Sequence, residues 1–116
     1  MANAKIERRL DEEIQRMEAA GQPDRQISVV IELAAKPGRM QQESRPVSYS
    51  DLEQQVRAQQ QGILERLSEL GVTGDVRQMT LSNSIEVRLT PAQIRQMGGH
   101  KEVKLIILNR EEQVTA

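Results

Sequence analysis

A chain of 116 residues is long enough for one domain with a modest core. Its 16 basic and 17 acidic residues leave a formal net charge of −1, which offers no electrostatic attraction to nucleic acid or an anionic membrane. The lack of cysteine excludes disulfides, thiol nucleophiles and Cys-ligated zinc.

There is no Trp or Phe and only one Tyr, so the core must be built from Leu, Ile, Val and Met. No run of apolar residues reaches the ~18 needed to cross a bilayer. The N-terminal stretch MANAKIERRLDEEIQ lacks the apolar centre of a signal peptide and is rich in acids, so the expected location is cytoplasmic.

Residues 3–20 read as an amphipathic helix. Ile6, Leu10, Ile14 and Met17 recur at helical spacing as one stripe, Glu7, Arg8, Arg9 and Asp11 cover the remainder, and Gly21 and Pro23 end it. The stripe suits packing on the domain or, alternatively, docking to a partner or a second copy. Gln26 to Leu33 (QISVVIEL) reads as the first strand, with Ile27, Val29, Ile31 and Leu33 on one face and Ser28, Val30 and Glu32 on the other. Ala34 to Tyr49 is a long Pro-, Gly- and Gln-rich connection. Its three cations, Lys36, Arg39 and Arg45, lack the glycine-rich turn of a phosphate site.

Ser50-Asp51-Leu52-Glu53 has the form of a capping box opening a helix to about Leu70. Leu52, Val56, Ile63, Leu67 and Leu70 form its apolar stripe, and Gln54, Gln55, Gln59, Gln60 and Gln61 are expected to face water. Val76 to Leu81 and Ser84 to Leu89 read as a hairpin joined through Ser82-Asn83. Thr90-Pro91-Ala92-Gln93 forms a second capping box opening a short helix that stops at Gly98-Gly99. Val103 to Leu108 is a final, nearly all-apolar strand, and the polar tail from Asn109 onward is expected to be disordered by itself.

The element order predicts an α+β fold: a ferredoxin-like β-α-β-β-α-β antiparallel sheet with an extra N-terminal helix. The expected division is a helix over 1–22, a domain over 23–108 and a tail over 109–116. Two helices on one face leave the other face open. Taken by alternation, Val30, Ile106 and Leu108 point to that open face, away from Ile31, Leu105 and Ile107. An edge strand apolar on both sides calls for a cover, either the N-terminal helix folding back or a partner protein.

No enzyme is expected. His100 is the sole histidine and no G-x-S-x-G, G-x-G-x-x-G or P-loop occurs, so neither a metal nor another cofactor is expected. The central strands lack the aromatics that RNA-recognition sheets stack on bases, with Ser28, Val30, Glu86 and Arg88 at those positions.

From residue 26 to 116 the chain resembles the propeptide of subtilisin-like serine proteases and the standalone inhibitors built on that domain. The features that carry the resemblance are the opening strand ISVVIEL, the helix ending LERLSELGV, the segment VRQMTLSNSIEVRLTPAQIRQM and the closing VKLIIL. Asn83, Ile85, Val87, Leu89, Thr90 and Gln93 follow the family's hairpin pattern.

The resemblance implies an inhibitor or folding chaperone of a subtilisin-like protease, acting in trans or cut from a longer precursor. Its open sheet face, with Val30, Glu86, Arg88, Ile106 and Leu108, would dock on the enzyme. Gln113, Val114, Thr115 and Ala116 would lie in the substrate cleft as a product-like strand. The alternative is a non-catalytic interaction or homodimerisation module using Ile6, Leu10, Ile14, Met17 and the apolar edge strand.

Overall fold

A computed structural model describes residues 5–34, 49–72, 74–79 and 82–109. The elements are α1 (Arg8–Ala19), β1 (Ile27–Leu33), α2 (Tyr49–Glu69), β2 (Val76–Met79), β3 (Ser84–Leu89), α3 (Pro91–Gly98) and β4 (Val103–Leu108). The four strands form one sheet in the order β2-β3-β1-β4, and each neighbouring pair is antiparallel. The protein is therefore α+β, with three helices and a four-stranded antiparallel sheet among the described residues.

Cross-strand pairs share a face, so the register sorts the side chains. Val29 opposes Val87 and Ile31 opposes both Ile85 and Ile106. These residues form one buried cluster with Ile63 and Leu67 of α2, Ile94 and Met97 of α3, and Leu10, Ile14 and Met17 of α1. All three helices thus cover the same face. The N-terminal helix does not fold onto the open one.

The chain before α1 joins the sheet as well. Ile6 bridges Ile106 in parallel: Ile106 N–H donates to Lys5 O at 2.7 Å and Glu7 N–H donates to Ile106 O at 2.9 Å. At the helix's far end, Arg95 of α3 makes two bonds to the Glu18 carboxylate, at 2.5 and 2.7 Å. Residues 5–19 therefore share the core of the domain instead of forming a unit of their own.

Local sequence explains the ends of these helices. Thr90 and Gln93 close a reciprocal box: Thr90 N–H donates to Gln93 Oε1 at 2.9 Å and Gln93 N–H to Thr90 Oγ1 at 3.3 Å. Gln93 Nε2 then donates to Leu70 O, satisfying a carbonyl just beyond α2. Gly21 and Gly71 take φ of 73° and 84°, which glycine adopts without steric penalty. Each is followed by a residue whose N–H reaches back five positions, Gln22 to Met17 O and Val72 to Leu67 O, the Schellman pattern.

Four sequence expectations need correction. First, Ile106 and Leu108 sit on the covered face: Ile106 is 0% exposed, and Leu108 opposes Val29 and packs against the core. The cause is a bulge in β4. Leu33 opposes Val103 but Glu32 opposes Leu105, so exposed Lys104 is an extra residue and alternation breaks there. Second, Gln60 is 0% exposed and continues the α2 stripe of Val56, Ile63 and Leu67. Third, α2 begins at Tyr49, which puts Ser50 inside the helix and not at its cap. Fourth, Met79 opposes Ser84, where a strand reaching Leu81 and joined through Ser82-Asn83 alone would have put position 81 opposite Ser84. Lys36, Arg39, Arg45, Leu81 and the side chain of Leu52 lie outside the described residues.

Candidate docking face

The face away from the helices consists of three cross-strand rows. Arg77, Glu86, Val30 and Ile107 form the central row, and Met79, Ser84, Glu32 and Leu105 form the second. Arg88 and Ser28 begin the third. In that row Asn109 donates from its backbone N–H to Ser28 O at 3.0 Å and from Nδ2 to Ser28 Oγ at 3.1 Å, anchoring the chain just past β4.

The face is divided in character. Its β2 and β3 side is charged, with Arg77 and Glu86 4.0 Å apart. Its β1 and β4 side carries the apolar Val30, Leu105 and Ile107 beside Glu32 and Ser28; the three are half-buried and no described helix covers them. A shallow depression of about 410 Å³ is lined by Glu86, Val30 and Ile107 of the central row, with Met79, Leu108, Asn109 and Glu7 around them. Such a surface suits a partner that presents apolar side chains over a polar rim.

The sheet-face residues singled out from sequence thus separate. Val30, Glu86 and Arg88 lie on the open face, while Ile106 and Leu108 do not. The β4 residues that do face outward there are Leu105 and Ile107, joined from β2 by Met79. No signal in VKLIIL identifies them, because Lys104 looks like an ordinary solvent-facing residue and sets the wrong phase. Ile6, Leu10, Ile14 and Met17 are all buried in their own chain. Gln113, Val114, Thr115 and Ala116 lie outside the described residues.

A second cluster was not visible in the sequence. It lies beneath the hairpin and is wholly polar. Buried Gln60 donates to Asn83 Oδ1 and to the carbonyls of Met79 and Ser84 at 3.3–3.4 Å, and accepts from Gln78 at 3.1 Å. Asn83 Nδ2 donates to Gln59, which in turn donates to Glu102 at 3.1 Å. Asn83 itself has φ of 47°, a conformation that asparagine tolerates better than most residues. Every partner here is a polar group satisfying another one, which marks a structural clamp.

Reactive chemistry is sparse. Among the described residues no three His, Cys, Asp or Glu side chains converge as metal ligands. His100 Nδ1 accepts from Glu102 N–H in the turn before β4, and its carbonyl accepts from Lys5 Nζ. No described helix is long and apolar enough to cross a membrane. Glu18 and Arg95 meet at the α1–α3 contact. There the hydrogen bonds from Arg95 hold the Glu18 carboxyl below its ordinary value, and Glu18 holds the Arg95 guanidinium above its own.

Searches of protein families, curated proteins and solved structures returned no match to this chain.

Proposed function

We propose that this protein is a non-catalytic docking domain of the ferredoxin-like class that inhibits or chaperones a subtilisin-like serine protease. The observation that carries the reading is the open sheet face, with half-buried apolar Val30 and Ile107 in one row and Leu105 in the next, beside a charged half. The strand order and the helices between β1 and β2 and between β3 and β4 support the ferredoxin-like assignment. In this reading these apolar side chains pack on the enzyme and Glu86 and Arg88 form part of their polar rim. Residues 113–116 enter the cleft by strand addition. The last residue before them that is described, Asn109, is fixed to β1, which gives that segment a defined point of departure.

Steady-state inhibition of a panel of subtilisin-like proteases by the intact chain tests this. Tight inhibition is expected, weakened by at least about tenfold when Gln113–Ala116 are removed or when Ile107 becomes lysine, since a few central residues carry most of an interface's energy. Circular dichroism should show both variants folded. Equal inhibition without residues 113–116 would remove the cleft mechanism, and digestion of the intact chain without inhibition would remove the protease.

The reading in which the N-terminal helix recruits a partner requires residues 5–19 to leave their own core, where Ile6, Leu10, Ile14 and Met17 are buried.

A further inference from the structure

Residues 5–19 behave as an arm. They place Ile6, Leu10, Ile14 and Met17 in the core, yet the seven residues that tie them to β1, Ala20 to Gln26, are all exposed. The backbone bonds of that connection close the end of α1 or remain within it, such as Arg25 N–H to Gln22 O. Polar contacts hold the arm to the body at both ends: Arg95 bonds Glu18, His100 O accepts from Lys5 Nζ, and Ile106 bonds the backbone of Lys5 and Glu7.

The groove that receives the arm cannot remain bare. Without it, the outer backbone of apolar β4 would lose the bridge to Ile6 at Ile106, and Leu10, Ile14 and Met17 would leave the shared core. A sheet edge of that kind recruits another strand. The segment whose shape and charge fit is already known, because it is the arm itself: an extended residue pairing with Ile106, then an apolar stripe, then a carboxylate one helix length away for Arg95. A second copy carries an identical arm on an equally exposed connection.

We propose that this chain forms an arm-exchanged dimer, in which residues 5–19 of each copy fill the groove between β4 and α3 of the other. Each contact broken in the monomer is re-formed in the dimer, so exchange costs little beyond association. Concentration then sets the balance. The open sheet face stays free in both forms, so the inference stands apart from the protease reading.

The chain has no cysteine, so single introduced thiols give an unambiguous test. One sample carries Glu18→Cys and the other Arg95→Cys, both exposed positions. The two are mixed, held at millimolar concentration, and treated with a short bis-maleimide. Light scattering on the unmodified full chain is measured at micromolar and millimolar concentration. The expected results are a doubling of the 13.1 kDa mass at high concentration and cross-linking between unlike chains well above that between like chains. A mass that stays at one chain throughout overturns the proposal. So does a doubled mass with unlike and like cross-links in statistical proportion, since that dimer uses another face. Removing Gln22 to Arg25 provides a second check. A connection too short for the arm to fold back should make the dimer dominant, and a monomer with a protease-sensitive arm would again overturn the proposal.

Discussion

Gln60 occupies a position on α2 where the helix stripe calls for an apolar residue, and it is fully buried. Its amide bonds to both sides of the hairpin connection, through Met79 O and Ser84 O, and to the Asn83 side chain. A buried acceptor left without its donor costs about 1–3 kcal/mol. Gln60→Leu is therefore expected to lower stability by about 2–3 kcal/mol in urea unfolding, although it adds apolar surface to a core position. Asn83→Ala should cost a similar amount, through the lost bonds and the left-handed backbone. The two changes together should cost less than their sum, because they remove the same network. Additivity would mean that the clamp is not a unit. The sequence conceals this cluster. Gln59 and Gln60 stand in a run with Gln54, Gln55 and Gln61, and composition gives each of them the same outward reading. Only the partner, an asparagine more than twenty residues away, distinguishes Gln60 from its neighbours.

At the scale of elements, much was legible because period and punctuation agree. The stripe of α1, the alternation of β1 and β3, and the Thr90–Gln93 box all follow from spacing that only one conformation satisfies. β4 differs because VKLIIL is apolar in both phases, and the bulge at Lys104 sets which phase is buried. That assignment can be tested by pairing two neighbours. Ile106→Ala should destabilise by about 2–5 kcal/mol in denaturant titration, and Ile107→Ala by under about 1.5, since only the first empties a filled core site. The reverse order would put the bulge elsewhere.

The contact between α1 and α3 has its own signature. The Glu18 carboxyl is held below its ordinary value by Arg95, so its contribution is complete above the unfolded-state value. That contribution disappears as pH falls through the lower folded-state value. Both side chains are partly exposed, so the effect should appear as local loosening of the arm. Protection of the amides in residues 8–19, corrected for the intrinsic pH dependence of exchange, should fall on acidification through that window. Glu18→Gln, which weakens the pairing at every pH, should flatten the response. An unchanged profile would assign the acid effect to other groups.

At the scale of the molecule, one sheet face carries three helices and the other, among the described residues, carries none, which in the proposed reading separates a part that folds from a part that binds. Changes on the open face should therefore separate the two properties. Val30→Lys is expected to weaken protease inhibition by at least about tenfold while shifting the unfolding free energy by no more than about 1–2 kcal/mol. Loss of both together would show that the face is structural. The layout itself was legible from the order of elements. The placement of α1 was not, because its stripe fits a groove made by β4 and α3 as well as it would fit an open sheet, and nothing within residues 3–20 distinguishes the two.

The bridge between Ile6 and Ile106 joins residues a hundred positions apart. A ribosome adding about 5–20 residues per second takes roughly 5–20 seconds to make the second after the first. Throughout that interval Leu10, Ile14 and Met17 have been synthesised but have no groove to enter. The arm made first must therefore be the last element to dock. The surface of α1 that faces away from the stripe is charged, with Arg8, Arg9, Glu12 and Arg16 exposed, a composition that favours solvation of an undocked helix.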